Sequence, residues 1–336
     1  MTRVAINGFG RIGRTALRTA FEGSSSIELV AINDVADAAT LAALLEHDTV
    51  YGQFPGGVSA REHALVVEGT EIAVLAEGEP GRLPWNELGV DVVLECTGKF
   101  KKREQAARHL EAGARKVIVS APSPDADATI VVGVNEHMYD PERHAVISNA
   151  SCTTNCLAPV LKAVHETIGI EHGFMTTIHA YTGDQRIVDS PHKDLRRARA
   201  AAWNLVPTTT GAARAVGLVI PELSGKLHGY AVRVPIPVGS IVDLTVEASR
   251  TTTVAEVDET LLTAAVSTLD GILDFRRGPL VSSDIVKTPF SAVVDGDLTA
   301  VVDGRQVHVV AWYDNEWGYA TRLVELAERV LVPAFA

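Results

Sequence analysis

The sequence predicts an α/β protein of two domains: a doubly wound parallel sheet first, then an α+β domain with a mainly antiparallel sheet. Three observations carry this expectation. The chain has 336 residues, more than one ordinary hydrophobic core organises. Short apolar runs alternate with helical patterns up to about residue 150, as crossover helices require of a parallel sheet. Beyond that point the β-rich segments lengthen, and Ser240-Ile-Val-Asp-Leu-Thr-Val-Glu247 alternates apolar with polar, as an antiparallel strand with one wet face does.

The elements follow in order. Arg3–Asn7 is a short apolar run suited to a buried parallel strand. A glycine-rich turn leads to a helix from Arg11 to Glu22, with Ile12, Ala16, Leu17 and Phe21 near helical spacing. Ile27–Ile32 is the second strand, Ala38–Glu46 the second helix, and the stretch around Gly56-Gly57 is irregular. Glu71–Leu75, Asp91–Leu94 and Lys116–Ser120 are further strands, with a helix over Glu104–Ala112 between the last two. The expected division is 1–150, 151–318 and a C-terminal segment 319–336 that packs back on the first domain. In the second domain a helix begins near Cys152, and strands cover Gly173–His179, Gly229–Val234, Ser240–Ala248 and Val307–Trp312. A last helix runs from Tyr319 to Val330.

Composition narrows the function classes. Hydrophobic residues at 46% and charged residues at 21% give a globular balance. A net charge of −12 opposes general affinity for nucleic acid or anionic membranes, while leaving room for a local cationic pocket. There is no apolar signal core behind a basic start, and no apolar run near the roughly 18 residues of a membrane span. The cysteines Cys96, Cys152 and Cys156 cannot build a disulfide framework, so a reducing cytoplasm is the expected compartment.

Gly8-Phe-Gly-Arg-Ile-Gly13 is a G-x-G-x-x-G motif that follows a strand and opens a helix. Gly8 permits the tight turn, Gly10 lets the backbone approach a pyrophosphate, and Gly13 lets the helix lie close to the strand. The helix start offers free N–H groups and a favourable dipole to phosphates. Asp34 ends the second strand, about 20 residues on, where a carboxylate bonds ribose hydroxyls and repels a 2′-phosphate. No Arg or Lys follows in Val35-Ala-Asp-Ala-Ala39. A Rossmann-type domain binding NAD in preference to NADP is the expectation.

Ser148-Asn-Ala-Ser-Cys-Thr-Thr-Asn-Cys156 is small and polar, and an apolar helical run begins at Leu157. Cys152 therefore sits near a helix N-terminus, which lowers a thiol's pKa and favours the reactive thiolate. The alternative, an inert buried thiol, fits its polar neighbours less well. A nucleophilic Cys needs a base. His179 is a polar tip on the apolar strand Phe174–Ile178, and from the residues alone it reads equally as a base or as a satisfied structural histidine. Cys156, one turn on, is a packing residue; a metal site there lacks further His or Cys ligands. The 186–199 segment holds Arg186, His192, Lys193, Arg196, Arg197 and Arg199, partly balanced by Asp184, Asp189 and Asp194. Most of these charges fit a solvated, salt-bridged surface, with one Arg facing an anion beside Thr208-Thr-Thr-Gly211 as the sharper reading. Arg233 stands alone in the apolar strand Tyr230-Ala-Val-Arg-Val-Pro235, where a ligand phosphate or carboxylate would be its partner.

Together these strings resemble the phosphorylating glyceraldehyde-3-phosphate dehydrogenases over essentially the whole chain. The matching strings are Ile6-Asn-Gly-Phe-Gly-Arg-Ile-Gly-Arg14, Ser148 to Cys156, His179-Ala-Tyr-Thr182, Pro207-Thr-Thr-Thr-Gly-Ala-Ala213, Arg233-Val-Pro235 and Trp312-Tyr-Asp-Asn-Glu-Trp-Gly-Tyr319. The resemblance implies that Cys152 adds to an aldehyde to give a thiohemiacetal. His179 takes its proton as hydride leaves to the nicotinamide, and inorganic phosphate attacks the resulting thioester. It implies an oxyanion held by the Cys152 N–H and the His179 side chain. It assigns the substrate's phosphate to Thr182 and Arg233, the attacking phosphate to Ser151, Thr153, Thr210 and Gly211, and Arg199 to either. It assigns cofactor contacts to Gly8, Gly10, Arg11, Ile12, Gly13, Asn33, Asp34, Thr97, Ser120, Asn315 and Tyr319. It further implies a homotetramer, with 186–210 reaching a neighbouring subunit's cofactor site.

The chain departs from many relatives at Gly78, where they carry Arg, at Val35 after the acid, and at Ser190-Pro191, which leaves NADP as the second cofactor. Erythrose-4-phosphate dehydrogenase, which hydrolyses its thioester, is the nearest rival. A semialdehyde dehydrogenase and a non-catalytic NAD-binding protein are further ones.

Overall fold

Burial on both faces explains why the first strands read as unbroken apolar runs. In β1 (Thr2–Asn7), Val4, Ala5 and Ile6 have no solvent exposure. The computed structural model describes residues 1–23 and 25–332. It divides the chain into one unit of Met1–Ser151 with the segment from Ala320, and a second unit of Cys152–Tyr319.

In the first unit, α1 (Arg11–Glu22) follows β1 and leads to β2 (Ile27–Asn33). Next comes α2 (Ala38–Glu46), whose first turn is capped by the Asp37 carboxylate accepting from Thr40 N at 2.7 Å. A small separate ribbon pairs β3 (His47–Asp48) with β4 (Gly52–Gln53). Then come β5 (Val58–Arg61), β6 (Ala64–Val67), β7 (Thr70–Leu75), β8 (Val92–Glu95), β9 (Lys116–Val119), β10 (Ala128–Thr129) and β11 (Val146–Ser148). Their order in the main sheet is β10-β11-β9-β8-β1-β2-β7-β6-β5. All pairings from β10 to β7 are parallel; β7 with β6 and β6 with β5 are antiparallel.

Two local outcomes differ from expectation. The irregular stretch after Gly57 is a hairpin edge, β5–β6, followed by a two-residue turn with both φ positive, Glu68 at 48° and Gly69 at 79°. The edge strand β5 is largely exposed, so it lacks the apolar run that marks a buried strand. The expected helix over Glu104–Ala112 is two short pieces, α3 (Arg103–Ala106) and α4 (Arg108–Glu111). Leu110 N bonds Ala107 O, a tightened three-residue step that interrupts the four-residue ladder.

The second unit begins with α5 (Cys152–Thr167), followed by β12 (Ile170–Ala180), β13 (Val206–Thr209), α6 (Ala212–Val219), β14 (Leu227–Val234), β15 (Ser240–Ala248) and α7 (Val254–Ala265). It ends with β16 (Leu273–Arg276), β17 (Ala292–Asp295), β18 (Ala300–Val302) and β19 (Gln306–Tyr313). The sheet order is β13-β14-β12-β15-β19-β17-β16, with β18 on β19. Pairing is antiparallel except β12 with β14 and β16 with β17. Strand β15 alternates strictly between buried and half-buried positions, as its sequence alternates. The last helix, α8 (Trp317–Arg329), starts two residues before the expected Tyr319. Within the first unit its end is tied down by Tyr139 Oη donating to Val330 O at 2.7 Å, and by Glu328 accepting from Ser25 Oγ at 2.8 Å. Among the described residues no helix is long and apolar enough to cross a membrane.

The contact of α1 with β1 sets a sharp steric test. A Cβ on Gly13 would lie 2.3 Å from Gly8 O and 3.0 Å from Ile6 Cγ2. Gly13→Ala is expected to destabilise by about 1–3 kcal/mol, read as a lower thermal midpoint. An unchanged midpoint would show that α1 can retreat from β1 at no cost.

Candidate active site and cofactor groove

The glycine turn of the first unit forms a groove of about 220 Å³ lined by Asn7, Gly8, Gly10, Asn33, Asp34, Glu77 and Thr97 among others. Gly8 has φ +94°, and a Cβ there would strike Thr97 N at 2.6 Å. Gly10 differs: a Cβ would meet nothing within 4 Å. Gly10 is also the N-cap of α1 and makes no side-chain cap hydrogen bond. Arg11's guanidinium is turned onto Asp48 and the Tyr51 ring, so its share in the groove is main-chain. Asp34 Oδ2 accepts from Phe9 N at 2.7 Å and Oδ1 from Ala36 N at 3.2 Å, which fixes the carboxylate at the end of β2. Asn33 lines the groove beside it, and Gly78 leaves open space where an arginine would reach. Glycine clearance and a pinned carboxylate fit a dinucleotide.

Behind the turn lies a buried polar network that sequence reading missed. Glu95 Oε1 receives Thr97 N at 2.9 Å and the Thr97 hydroxyl; Oε2 receives Asn7 Nδ2 at 2.6 Å and lies 3.2 Å from His109 Nε2. Trp85 Nε1, which can only donate, bonds His109 Nδ1 at 3.0 Å, so the imidazole proton is on Nε2 and faces Glu95. Ser120, just past β9, donates its hydroxyl to Glu95 O at 2.9 Å.

In the second unit Cys152 is the first residue of α5 and His179 lies near the end of β12. Cys152 Sγ is 3.3 Å from His179 Nε2. Ala150, two residues before the thiol, has φ +53°, a conformation that costs a non-glycine residue about 1–2 kcal/mol. His179 is buried, and its Nδ1 lies 2.7 Å from Ala180 O and 2.6 Å from an Arg233 amino nitrogen. That same nitrogen donates to Ala180 O at 3.1 Å. A proton on Nδ1 leaves Nε2 free to accept; a proton on Nε2 lets Nδ1 accept from Arg233. Burial and the Arg233 charge push His179 down to about 3, so the ring is neutral at working pH. Burial raises the Cys152 thiol, against the pull of Arg233 and the Thr153 N–H and hydroxyl. The helix-start expectation of a lowered thiol pKa is therefore corrected: desolvation outweighs the dipole.

Arg233 Nε is buried without a partner, an orphan that fits an anionic ligand. Thr210 Oγ1 accepts from Ala212 N at 3.2 Å, and Gly211 caps α6 with open space at its Cβ position. Thr182 N meets Gln185 Oε1 at 3.3 Å, and Gln185 Nε2 is another buried orphan. Ser151 and Thr153 flank Cys152, and Thr153 is 4% exposed. Asn315 is buried, with Oδ1 accepting from Ser240 Oγ at 2.9 Å; Ser240 Oγ in turn accepts from Ala180 N at 3.1 Å. Tyr319 is buried in the first turn of α8.

Comparison with known proteins places this architecture. Residues 2–103 match the family model of the glyceraldehyde 3-phosphate dehydrogenase NAD binding domain, and residues 151–315 that of the C-terminal domain. The chain is 57% identical to glyceraldehyde-3-phosphate dehydrogenase of Geobacillus stearothermophilus, covering 97% of each. It is 55% identical to glyceraldehyde-3-phosphate dehydrogenase 1 of Streptomyces avermitilis, again over 97% of each chain. It is 53% identical to glyceraldehyde-3-phosphate dehydrogenase 2 of Bacillus subtilis, over 98% of this chain and 96% of the other. The chain belongs to the glyceraldehyde-3-phosphate dehydrogenase family.

One site assignment for this glyceraldehyde-3-phosphate dehydrogenase family member is corrected by the geometry. Arg199 is exposed and paired with Asp189 at 2.7 Å. Arg197 is the arginine of the cluster: Nε donates to Thr208 Oγ1 at 3.0 Å, an amino nitrogen to Thr209 O at 3.1 Å, and its charge bears on both His179 and Arg233. Three arginines in four positions gave no signal to separate them; fixation to β13 decides it. Ser240 was also missed, a lone hydroxyl at the head of an alternating strand.

Two outcomes are expected. Alkylation of Cys152 climbs about tenfold per pH unit through neutrality, with no inflection near 6.5, because thiol and imidazole rest neutral. A plateau between about pH 6 and 8 would instead show a preformed ion pair. Arg197→Ala weakens phosphate-dependent turnover at least about tenfold, whereas Arg199→Ala stays within about twofold, both read as kcat/KM. Equal losses would return Arg199 to the site.

Proposed function

We propose that the chain is an NAD-dependent, phosphorylating glyceraldehyde-3-phosphate dehydrogenase that converts D-glyceraldehyde 3-phosphate and inorganic phosphate to 1,3-bisphosphoglycerate. The observation that carries this reading is the 3.3 Å contact of Cys152 Sγ with His179 Nε2, with Arg233 against the same ring. The chemistry follows. Cys152 sulfur bonds the aldehyde carbon and its proton passes to the carbonyl oxygen, giving a thiohemiacetal. NAD, when bound, supplies the hydride acceptor. His179 Nε2 takes the hydroxyl proton as the carbon is oxidised to the thioester. A phosphate oxygen then bonds the acyl carbon, the C–S bond breaks, and the thiolate leaves.

Arg233 and Thr182 hold the substrate's phosphate. Arg197, with Ser151, Thr153, Thr210 and Gly211, serves the attacking one. A substrate anion that draws Arg233 off Nδ1 favours the tautomer with its proton toward Ala180 O, the one in which Nε2 is a base. The oxyanion is held by the Cys152 N–H and His179. Asn315, its oxygen occupied by Ser240, presents its amide nitrogen to the nicotinamide carboxamide. Asp34, with no cation following it, favours NAD over NADP.

A cytoplasmic homotetramer completes the reading. The 186–205 segment exposes Ile187, Leu195, Trp203 and Leu205, side chains that a subunit interface would cover.

The test is NADH formation from glyceraldehyde 3-phosphate with and without inorganic phosphate. Strong phosphate dependence, lost by at least about a thousandfold in Cys152→Ser, is the expected result. Equal rates without phosphate would move the assignment to a hydrolytic dehydrogenase such as that for erythrose 4-phosphate. No NADH with any of these aldehydes would leave a binding protein.

A further inference from the structure

The side-chain amide of Asn315 is held at its oxygen by a buried hydroxyl. Ser240, at the head of β15, has no solvent exposure. Its Oγ accepts from Ala180 N at 3.1 Å, an N–H that can only donate. The hydroxyl proton then needs an acceptor, and Asn315 Oδ1 lies 2.9 Å away. An amide turned the other way would bring a second donor to Ser240 and strand that proton in a closed site. The backbone on either side of Asn315 is fixed independently. Asp314 Oδ2 accepts from Lys287 N at 2.8 Å, and Oδ1 accepts from Glu316 N at 2.9 Å and Trp317 N at 2.8 Å. Ser240 is fixed too: Gly239 before it has φ +88°, and a Cβ there would lie 2.5 Å from Ser282 O. The placement of Asn315 thus comes from Asp314, and the choice of amide end from Ser240.

We propose that Ser240 is a positioning residue that turns the donor end of Asn315 toward the cofactor, so that the chain reads the carbonyl end of a nicotinamide carboxamide and rejects its amino end. The inference rests on the reading of Asn315 as the residue that meets that carboxamide. An unassisted Asn offers two ends of nearly equal shape, an acceptor oxygen and a donor nitrogen, and half a turn of the amide exchanges them. The carboxamide of the cofactor has the same two ends, so a free Asn could pair with either. With Oδ1 occupied by Ser240, Nδ2 is the end left for the ligand, and its partner must be an acceptor. A carboxamide presented by its amino end would set donor against donor in a buried site, which costs more than the correct bond contributes. Ser240 takes its other bond from the peptide N–H that follows His179, so the amide and the imidazole are both referenced to one oxygen.

The test is equilibrium binding, without turnover, of two dinucleotide analogues to the full chain. The 3-acetylpyridine analogue of NAD keeps the carbonyl and has no amino group. The thionicotinamide analogue keeps the amino group and carries sulfur, a weak acceptor, in place of the oxygen. The wild type is expected to favour the first, and Ser240→Ala to lower that preference, read as the ratio of the two Kd values, by about 3–10-fold. Ser240→Cys, close in size but a poor donor, gives the same shift and decides alone if the alanine variant fails to fold. In an Asn315→Ala background Ser240→Ala leaves the ratio unchanged, because Ser240 acts through that amide. A ratio that stays at the wild-type value in Ser240→Ala, even with both affinities lowered, is the mark of a merely structural role and overturns the proposal. So does an equal shift in the Asn315→Ala background, or a wild type that favours the thionicotinamide analogue. A wild type that binds neither analogue would sink the cofactor reading itself, whereas binding with an unmoved ratio would overturn the role of Ser240 alone.

Discussion

The constraint on which the site depends is one half-buried guanidinium. Arg233 is packed against His179 without a carboxylate partner, and a charge so placed is costly unless an anion meets it. Its presence has three effects at once. With burial it keeps His179 neutral, it favours the thiolate of Cys152 against burial, and it leaves an orphaned Nε for an anionic ligand. A carboxylate in the same place would satisfy the arginine, cancel its pull on the thiol and block the anion. The chain, acidic at −12 overall, thus keeps a positive charge beside the thiol and the imidazole.

The resting pair is consequently neutral, and this sets where the reaction's driving force lies. A thiolate preformed in the empty site would be a permanent target for oxidants and alkylating agents. Here burial holds the proton on sulfur, against the pull of Arg233 and Thr153. Because they are fixed by β14 and α5, they need no reorganisation when charge develops. On the function proposed above, substrate that engages Arg233 changes the balance at both ring nitrogens of His179, coupling arrival of the anion to appearance of the base.

What was legible in the sequence was what a local rule constrains. Gly8, Gly10 and Gly13 each answer a separate steric demand, and Asp34 follows at the strand end. Cys152 at a helix start and the lone Arg233 in an apolar strand are likewise visible from a few neighbours. The β5–β6 edge escaped because Val58–Arg61 is too exposed to show a buried strand's pattern. Arg197 could not be told from Arg199, since the difference is a tertiary anchor on Thr208 and Thr209. The thiol's direction was misjudged for a quantitative reason. A helix N-terminus contributes about 0.3–1 kcal/mol to an anion at the surface, while desolvation of a buried group moves its pKa by up to about 3–5 units.

The Glu95 network poses the opposite problem, a buried acidic side chain behind a groove suited to a diphosphate. It is tolerated because each carboxyl oxygen is met by two donors, from Thr97, Asn7 and His109. Those donors belong to the groove's own floor: Asn7 ends β1, Thr97 follows β8, and a Cβ at Gly8 would collide with Thr97 N. His109 is in turn oriented by Trp85, and Asn7 Oδ1 accepts from Asn33 at 2.6 Å, whose own oxygen takes Glu77 N at 2.8 Å. The strand ends that present the turn are thus locked by side chains rather than by the sheet ladder, which stops at Asn7 and Glu95. Parallel strands splay where their ladder stops, and a phosphate-binding turn needs its amides fixed there. A buried carboxyl group saturated from both sides supplies that fixation from behind the turn.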